Sequence, residues 1–565
     1  MTVAPADHLP SVKPEQEFIA PPSDPDEERI EAGVAIVGGG PAGLSCAIRL
    51  SQLIAAEPRL AELLGEVPIA VLEKGPRPGA QLLSGAMMSP SALARLLPDV
   101  DPSEWPTYGP VDRDAVYLMT SRRALRLPTP PPFRNHGNHA TSVARLGRWL
   151  AARAEAEGVV ILSETAATKL LVADGVVRGV RTGDRGRGRE GEPLANFQAG
   201  SELIARATVL AEGSQGHLTG AALRHFGIAG DDPQRWELGV KEVWRVAQPL
   251  DRVVHTIGWP LRARARYREF GGAWIYPMGE QKVSLGFVAG LDYRDARFSV
   301  HDVLQQLKTH PLVRGILAGG ERLAWGAKTI PSGGYWAMPS KLWAPGLCIA
   351  GDGAGMVNVP RLKGLHYAMH AGMFAAEAIF DALKTGSADD LSSYQQRVEE
   401  SLIEDELYRA RNMRQPFRKG LVLGGAIAGA MQATGGRLPG GHWRSEDDAV
   451  VDVFIGKRAR DYPKPDGKLT FDKLSSVFAS GNVTRDDAPN HIRVRTRVPL
   501  ELALLWQNMC PAQVYEVTAA STTGRDALVD VTLTPSNCIQ CGAITAKGGR
   551  LTPAEGGDGP NYQET

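Results

Sequence analysis

Residues 34–50 read VAIVGGGPAGLSCAIRL: a β-branched run, Val34–Val37, then Gly38-Gly39-Gly40-Pro41-Ala42-Gly43, then an alanine- and leucine-bearing stretch that continues to Leu53. Strand, tight turn and helix in that order is the context in which GxGxxG binds a dinucleotide. Gly38 permits the turn, Gly40 lets a pyrophosphate approach the backbone, and Gly43 lets helix and strand pack closely. The helix N-terminus then presents free N–H groups and a positive dipole end to the phosphates. The ribose partner should be an acid closing the next strand. Glu73 closes the strand at 68–73, 30 residues beyond Gly43; an extended helix and loop over 54–67 accounts for a spacing longer than the usual ~20.

Two later segments favour FAD over NAD. TVLAEG at 208–213 reads as a strand ending in Glu-Gly, and GLCIAGDGAG at 346–355 places Gly351-Asp352 after a buried strand. A carboxylate there can bind ribityl hydroxyls, while Gly353 and Gly355 admit backbone contact on the phosphate side. A long helix is expected over 363–384, with Gly364, Ala368, Gly372 and Ala376 in steps of four, a small-residue stripe suited to close packing. Together these segments resemble the glutathione-reductase-type FAD fold.

The bulk composition points nowhere unusual. The 565 residues are 43% hydrophobic and 22% charged, with 63 basic and 63 acidic side chains, so no nucleic-acid partner is indicated. A chain of this length forms two or three domains. Residues 113–128 and 158–182 read as short strands with hairpin-type turns, and residues 184–200 as an exposed polar loop. Five cysteines do not make a disulfide framework, and a reducing, cytosolic setting is expected. Residues 1–31, proline-rich and carrying the acidic run Asp24, Asp26, Glu27 and Glu28, read as a flexible arm without signal or transit features. The longest apolar run, LVLGGAIAGAM at 421–431, follows Arg414, Arg418 and Lys419. It is too short to span a bilayer but suits either shallow interfacial insertion or a buried glycine-rich helix.

Three of the five cysteines lie near the C-terminus. Cys538 and Cys541 form C-x-x-C, and Cys510-Pro511 lies 28 residues earlier. A tight cysteine loop plus one remote Cys before proline is a ferredoxin-type pattern, but such clusters normally take four thiolates. The position for a fourth is Ile544, and no histidine follows His491. Three readings stand: a metal site of Cys510, Cys538 and Cys541 holding a 3Fe–4S or 4Fe–4S cluster, with an oxygen (Thr545, Asp558 or water) or an added thiol as the remaining ligand in the second case; a domain that has lost its cluster; or zinc or a redox dithiol. Cys46 and Cys348 read as core residues.

Further stretches make the chain similar to the electron-transfer flavoprotein–ubiquinone oxidoreductases along nearly its whole length: LEKGPRPGAQLLSGAMMSP at 72–90, HTIGWPL at 255–261, NVPRLKGLHYAMHAGMFAAEAIF at 358–380 and CPAQVYEV at 510–517. The resemblance implies an α/β and α+β architecture: a flexible arm (1–31), a discontinuous FAD domain (32–234 and 341–385) and an antiparallel-sheet quinone domain (235–340). A helical connecting region (386–490) with a membrane-surface segment at 418–431, and a small ferredoxin-like domain (491–565), complete it. It also implies electron relay from reduced electron-transfer flavoprotein to ubiquinone, without a catalytic acid, base or nucleophile. Gly271 and Gly272 would contact the quinone, their absent side chains admitting a flat headgroup. Trp259 and Trp274 would join 421–431 in peripheral docking, at the cytoplasmic face of a bacterial inner membrane. Ile544 departs from the family pattern and bears on the cluster alone. The competing expectation is a geranylgeranyl-reductase-like flavoenzyme acting on a lipid-like substrate, which leaves the cysteine end unexplained.

Overall fold

A computed structural model describes residues 2–11, 13–23, 29–279, 281–518 and 528–565. The acidic run at 24–28 lies outside the described residues. The first sheet is built on β1 (Arg29–Val37), which lies parallel between β2 (Ile69–Leu72) and β4 (Glu202–Leu210); β3 (Val160–Leu162) extends it beyond β2, and Leu347–Ile349 beyond β4. Val34, Ala35, Ile36, Ala70 and Val71 are fully buried, as strands covered on both faces must be. Helix α1 (Pro41–Ala55) starts at the glycine turn, and α2 (Leu365–Lys384) packs against it. The packing is close enough that a Cβ on Gly372 would sit 2.1 Å from the Ala42 carbonyl oxygen. Cys46 and Cys348 are fully buried in this core.

The second sheet orders β9 (Glu321–Pro331), β5 (Trp236–Arg245), β8 (Lys282–Gly290), β7 (Gly271–Pro277) and β6 (Val253–Gly258), all antiparallel. It does not end there. Asp114–Met119 pairs parallel with β6 and carries the hairpin strand Ala124–Leu127. The hairpin expected within the FAD domain thus belongs to the second sheet, whose edge it covers.

Three other expectations need correction. The N-terminal arm is docked where described: Pro14–Phe18 is helical, Phe18 is 3% exposed, and Ile19–Ala20 pairs with the strand Ala167–Ala173. Residues 184–200, read as a polar loop, contain a two-stranded ribbon, Arg185–Arg187 with Pro193–Gln198. The C-terminal strands Arg497–Pro499, Tyr515–Val517 and Leu528–Leu533 form a small sheet beside the helix Leu500–Met509, but this unit shares one apolar core with the second sheet: Trp506, Cys510 and Ile544 cluster with Trp325 and Ala327. Among the described residues no helix is long and apolar enough to cross a membrane.

Candidate functional site

Parallel strands deliver their carboxyl ends to one edge, where an α/β fold places its ligand. β1 ends in Gly38, whose φ of +111° only glycine tolerates well; β2 leads into Glu73, β4 into Ala211–Gly213, and Leu347–Ile349 into Gly351-Asp352. The Glu73 carboxylate accepts the N–H of Gly39 at 3.1 Å and of Gly75 at 2.6 Å, holding the turn in shape. Gly43 does what its position requires: a Cβ there would stand 2.1 Å from the Gly38 carbonyl oxygen.

Gly38, Gly40, Glu73 and Asp352 open onto a single cavity of about 1020 Å³, and Gly271 and Gly272 of β7 line the same cavity. Gly43, Gly351 and Gly355 do not line it; Gly351 and Gly355 shape the turn below Asp352 through φ of +71° and +73°. Burial pushes the Asp352 carboxyl up to about 6, against the nearby Lys328 ammonium, which holds it down. Gln215 also lines the cavity, and neither amide atom of its buried side chain has a partner. Glu212, expected only as part of a strand end, caps a helix: it accepts the Thr219 N–H at 2.6 Å and hydroxyl at 2.7 Å.

At Gly271 and Gly272 the physical reason differs from the expected one. A Cβ on Gly271 would lie 1.9 Å from the Val288 carbonyl oxygen, and one on Gly272 2.6 Å from that of Thr256. Glycine is demanded by the neighbouring strands as well as being available to the cavity. Beside them stands a group the sequence reading missed. The buried Glu237 carboxylate of β5 lines the cavity, 3.5 Å from the Arg414 guanidinium, and burial raises its affinity for a proton despite that neighbour. Arg414 also pairs with Asp292 at 2.7 Å and lies over the Phe270 ring at 3.9 Å. Only the pairing of β5 with β8 and β9 reveals Glu237 as a site residue; its local sequence carries no motif.

The cavity leads to an apolar rim. Leu118, Leu362 and Val422 both line it and are exposed, Val422 at 82%. Val422 belongs to α3 (Leu421–Ala433), the expected surface segment, in which only Gly424 and Met431 are buried. Its basic flank is not the one expected: Arg414 is consumed in the buried ion cluster and Arg418 faces Glu446. Exposed cations near the start of α3 are Lys419 and, across from Gly420, Arg264 and Arg266. Of the two tryptophans expected at this surface, Trp274 lines the cavity wall, while Trp259 is half-buried, its backbone N–H bonded to the Met119 carbonyl beside the rim residue Leu118. Trp274 is 7% exposed and donates to Ser284 Oγ at 3.1 Å, and Trp259 packs on His310.

The three C-terminal thiols do come together. Cys510, Cys538 and Cys541 line one small void, and the backbone N–H groups of Ala512 and Gln540 donate to the sulfurs of Cys510 and Cys538, each at 3.4 Å. Such N–H···S contacts favour thiolate bound to metal. Ile544 lines the same void. Thr545 and Asp558, the oxygen ligands left open by the sequence, do not; Thr545 faces the large cavity instead. Gly542 and Leu551 line both the void and the large cavity, so the two adjoin.

Two family models match: "ETF-QO, ubiquinone-binding" over residues 236–330, and "Electron transfer flavoprotein-ubiquinone oxidoreductase, 4Fe-4S" over 467–563. The chain is 38% identical to the electron transfer flavoprotein-ubiquinone oxidoreductase of Pseudomonas aeruginosa, over 95% of this chain and 99% of the relative. The mitochondrial protein of that description from Bos taurus is 36% identical, over 94% and 89%. A solved geranylgeranyl bacteriochlorophyll reductase-like protein from Thermoplasma acidophilum superposes with a TM-score of 0.55 at 17% identity, covering 72% of this chain and 96% of that one. That likeness is one of fold.

Proposed function

The chain belongs to the electron transfer flavoprotein–ubiquinone oxidoreductase family, and from that premise we propose that it passes electrons from reduced electron transfer flavoprotein to ubiquinone at a membrane surface. The observation that carries this reading is the continuity of the large cavity, lined by the dinucleotide-type turn at Gly38–Gly40 and by the exposed apolar rim at Leu118, Leu362 and Val422. A hydrophobic substrate can thus leave the lipid and reach the flavin site without crossing water.

The residues fit FAD. The N–H groups at the start of α1 would hold the pyrophosphate, Glu73 the adenosine ribose and Asp352 the ribityl chain; Gln215 brings two amide atoms that have no partner without a ligand. FAD supplies both one- and two-electron chemistry, which suits a one-electron donor and a quinone. The chain's own work is positioning and proton supply. Gly271 and Gly272 would present bare backbone beside the quinone, and Glu237 is a buried carboxyl of raised proton affinity on the same wall. Quinone reduction takes up two protons with its two electrons, so a buried carboxyl of raised proton affinity is placed to give one.

We assign residues 32–234 and 341–385 to a glutathione-reductase-type FAD domain, apart from the 114–127 hairpin, and 491–565 to a ferredoxin-like cluster domain with Cys510, Cys538 and Cys541 as ligands. Peripheral docking through α3, its apolar face flanked by Lys419, Arg264 and Arg266, supports a membrane-surface placement; the cytoplasmic face of a bacterial inner membrane is the side we propose. The test is steady-state reduction of a soluble ubiquinone analogue by the purified FAD-bound protein. Turnover should require added electron transfer flavoprotein and its reductant. Equal turnover with a lipid-like alkene and no quinone would instead place the chain with the geranylgeranyl-type reductases.

A further inference from the structure

The void between the terminal thiols has three sulfur walls and one hydrocarbon wall. Cys510, Cys538 and Cys541 face it together with Ile544, Tyr515 and Leu551. Ile544 is 4% exposed and wedged: a Cβ on Gly549 would stand 2.5 Å from its Cγ1 and 2.6 Å from Val494 Cγ1, so the apolar corner has no slack. Neither Thr545 nor Asp558 reaches this void, and no His, Asp or Glu lines it; besides the three thiols, the heteroatom-bearing side chains on its wall are the Met509 thioether and the Tyr515 phenol, neither of them a usual cluster ligand. Three thiols without a His, Asp or Glu beside them fall one soft ligand short of zinc's usual tetrahedral set.

We propose that this chain holds its iron–sulfur cluster by three thiolates alone, leaving the iron at the Ile544 corner without a protein ligand and therefore removable. The proposal rests on the reading of the C-terminal unit as a cluster domain. It departs from the four-thiolate arrangement at one residue. Loss of the corner iron breaks only its bonds to three sulfides. A 4Fe–4S core of charge 2+ yields a 3Fe–4S core of charge 1+, one ferrous ion and one electron, the electron passing to an added ferricyanide. The three irons held by Cys510, Cys538 and Cys541 keep their ligands throughout.

The experiment is anaerobic reconstitution of the full chain with ferrous iron and sulfide, followed by one equivalent of ferricyanide, iron counting and EPR. The native chain should fall from about four to about three irons and develop the EPR signal of an oxidised 3Fe–4S core. Ile544→Cys, given the same treatment, should keep its fourth iron and remain EPR-silent. A native chain that keeps four irons and stays silent has a fourth ligand, and the proposal is wrong while the cluster reading survives. A chain that takes up no iron overturns both. The native measurement decides the matter even where Ile544→Cys does not fold.

Discussion

The backbone N–H of Thr329 in β9 donates to the carbonyl oxygen of Cys541 at 2.9 Å. That bond ties a thiol-bearing loop directly to a strand that lines the flavin cavity, and Lys328 adds a second tie by donating to the Gln540 carbonyl at 3.2 Å. The two candidate redox sites therefore share a wall, with Gly542 and Leu551 lining both. Gly542 is tightly constrained there: φ is +87°, and a Cβ would stand 2.8 Å from Thr329 Oγ1. Gly542→Ala should cost ~1–3 kcal/mol and loosen both sites together, read as earlier loss of FAD fluorescence quenching and of iron in the same urea titration. Loss of one without the other contradicts a shared wall.

FAD binding should fail most sharply at Gly43. Because a side chain there strikes the Gly38 carbonyl, Gly43→Val should give a folded but colourless protein, with flavin affinity down at least ~100-fold, equivalent to about 3 kcal/mol. Asp352→Asn keeps the shape and removes the charge, so a smaller loss, ~10-fold, is expected in flavin titration.

Glu237→Gln should slow quinone reduction about 100-fold or more at neutral pH, in the range of a lost general acid, while flavin content and flavin reduction by electron transfer flavoprotein stay as they were. The deficit should shrink at low pH, where solvent protons substitute. A mutant slowed equally in flavin reduction would assign Glu237 a structural role with Arg414.

Docking can be separated from chemistry on α3. Leu423 is 53% exposed and does not line the cavity, nor does Ala430. The double variant Leu423→Glu, Ala430→Glu should lose liposome binding by about tenfold or more, as expected for removing one leucine's worth of burial and adding charge. Turnover with a water-soluble quinone analogue should persist. Unchanged liposome flotation removes α3 from the docking surface.

Burial lowers the Lys241 ammonium to about 7, although its Nζ donates to the Ser84 carbonyl at 2.7 Å. Unfolded, the same lysine holds its proton to about pH 10. Between those values the unfolded chain binds the extra proton, so stability rises with pH from 7 to 10, and the cost of the buried charge is fully present below 7. The contribution is ~2–4 kcal/mol over that window. Lys241→Met should flatten this part of the pH profile of thermal unfolding; an unaltered slope refutes the assignment.

What was legible in the sequence was local. The glycine turn, Glu73, Gly351-Asp352 and the small-residue stripe of α2 each declare themselves within a few residues, because backbone geometry and close helix packing constrain neighbours along the chain. The parts that were not legible depend on distant pairing. Nothing in residues 114–127 says that their partner is β6, and nothing in Glu237 says that Arg414 will be buried beside it. The basic flank of 421–431 misled for the same reason: Arg414 is adjacent in sequence to the exposed helix yet is drawn inward by Asp292. The ribbon at 185–198 escaped notice because its arginines and glutamates resemble a solvated loop, while ladder hydrogen bonds alone make it a hairpin. Ile544 is the opposite case. The sequence marked it as a missing thiolate, and the structure places it against the three thiols it would have joined.

The central claim is that one cavity receives electrons on a flavin and delivers them to a quinone. Sequential anaerobic mixing tests it most directly: the FAD-bound protein with reduced electron transfer flavoprotein, then with a soluble ubiquinone analogue, followed by flavin absorbance. The flavin should bleach in the first mix and recover its oxidised spectrum in the second, with quinol formed in proportion. Flavin that bleaches but is not reoxidised by quinone would contradict it.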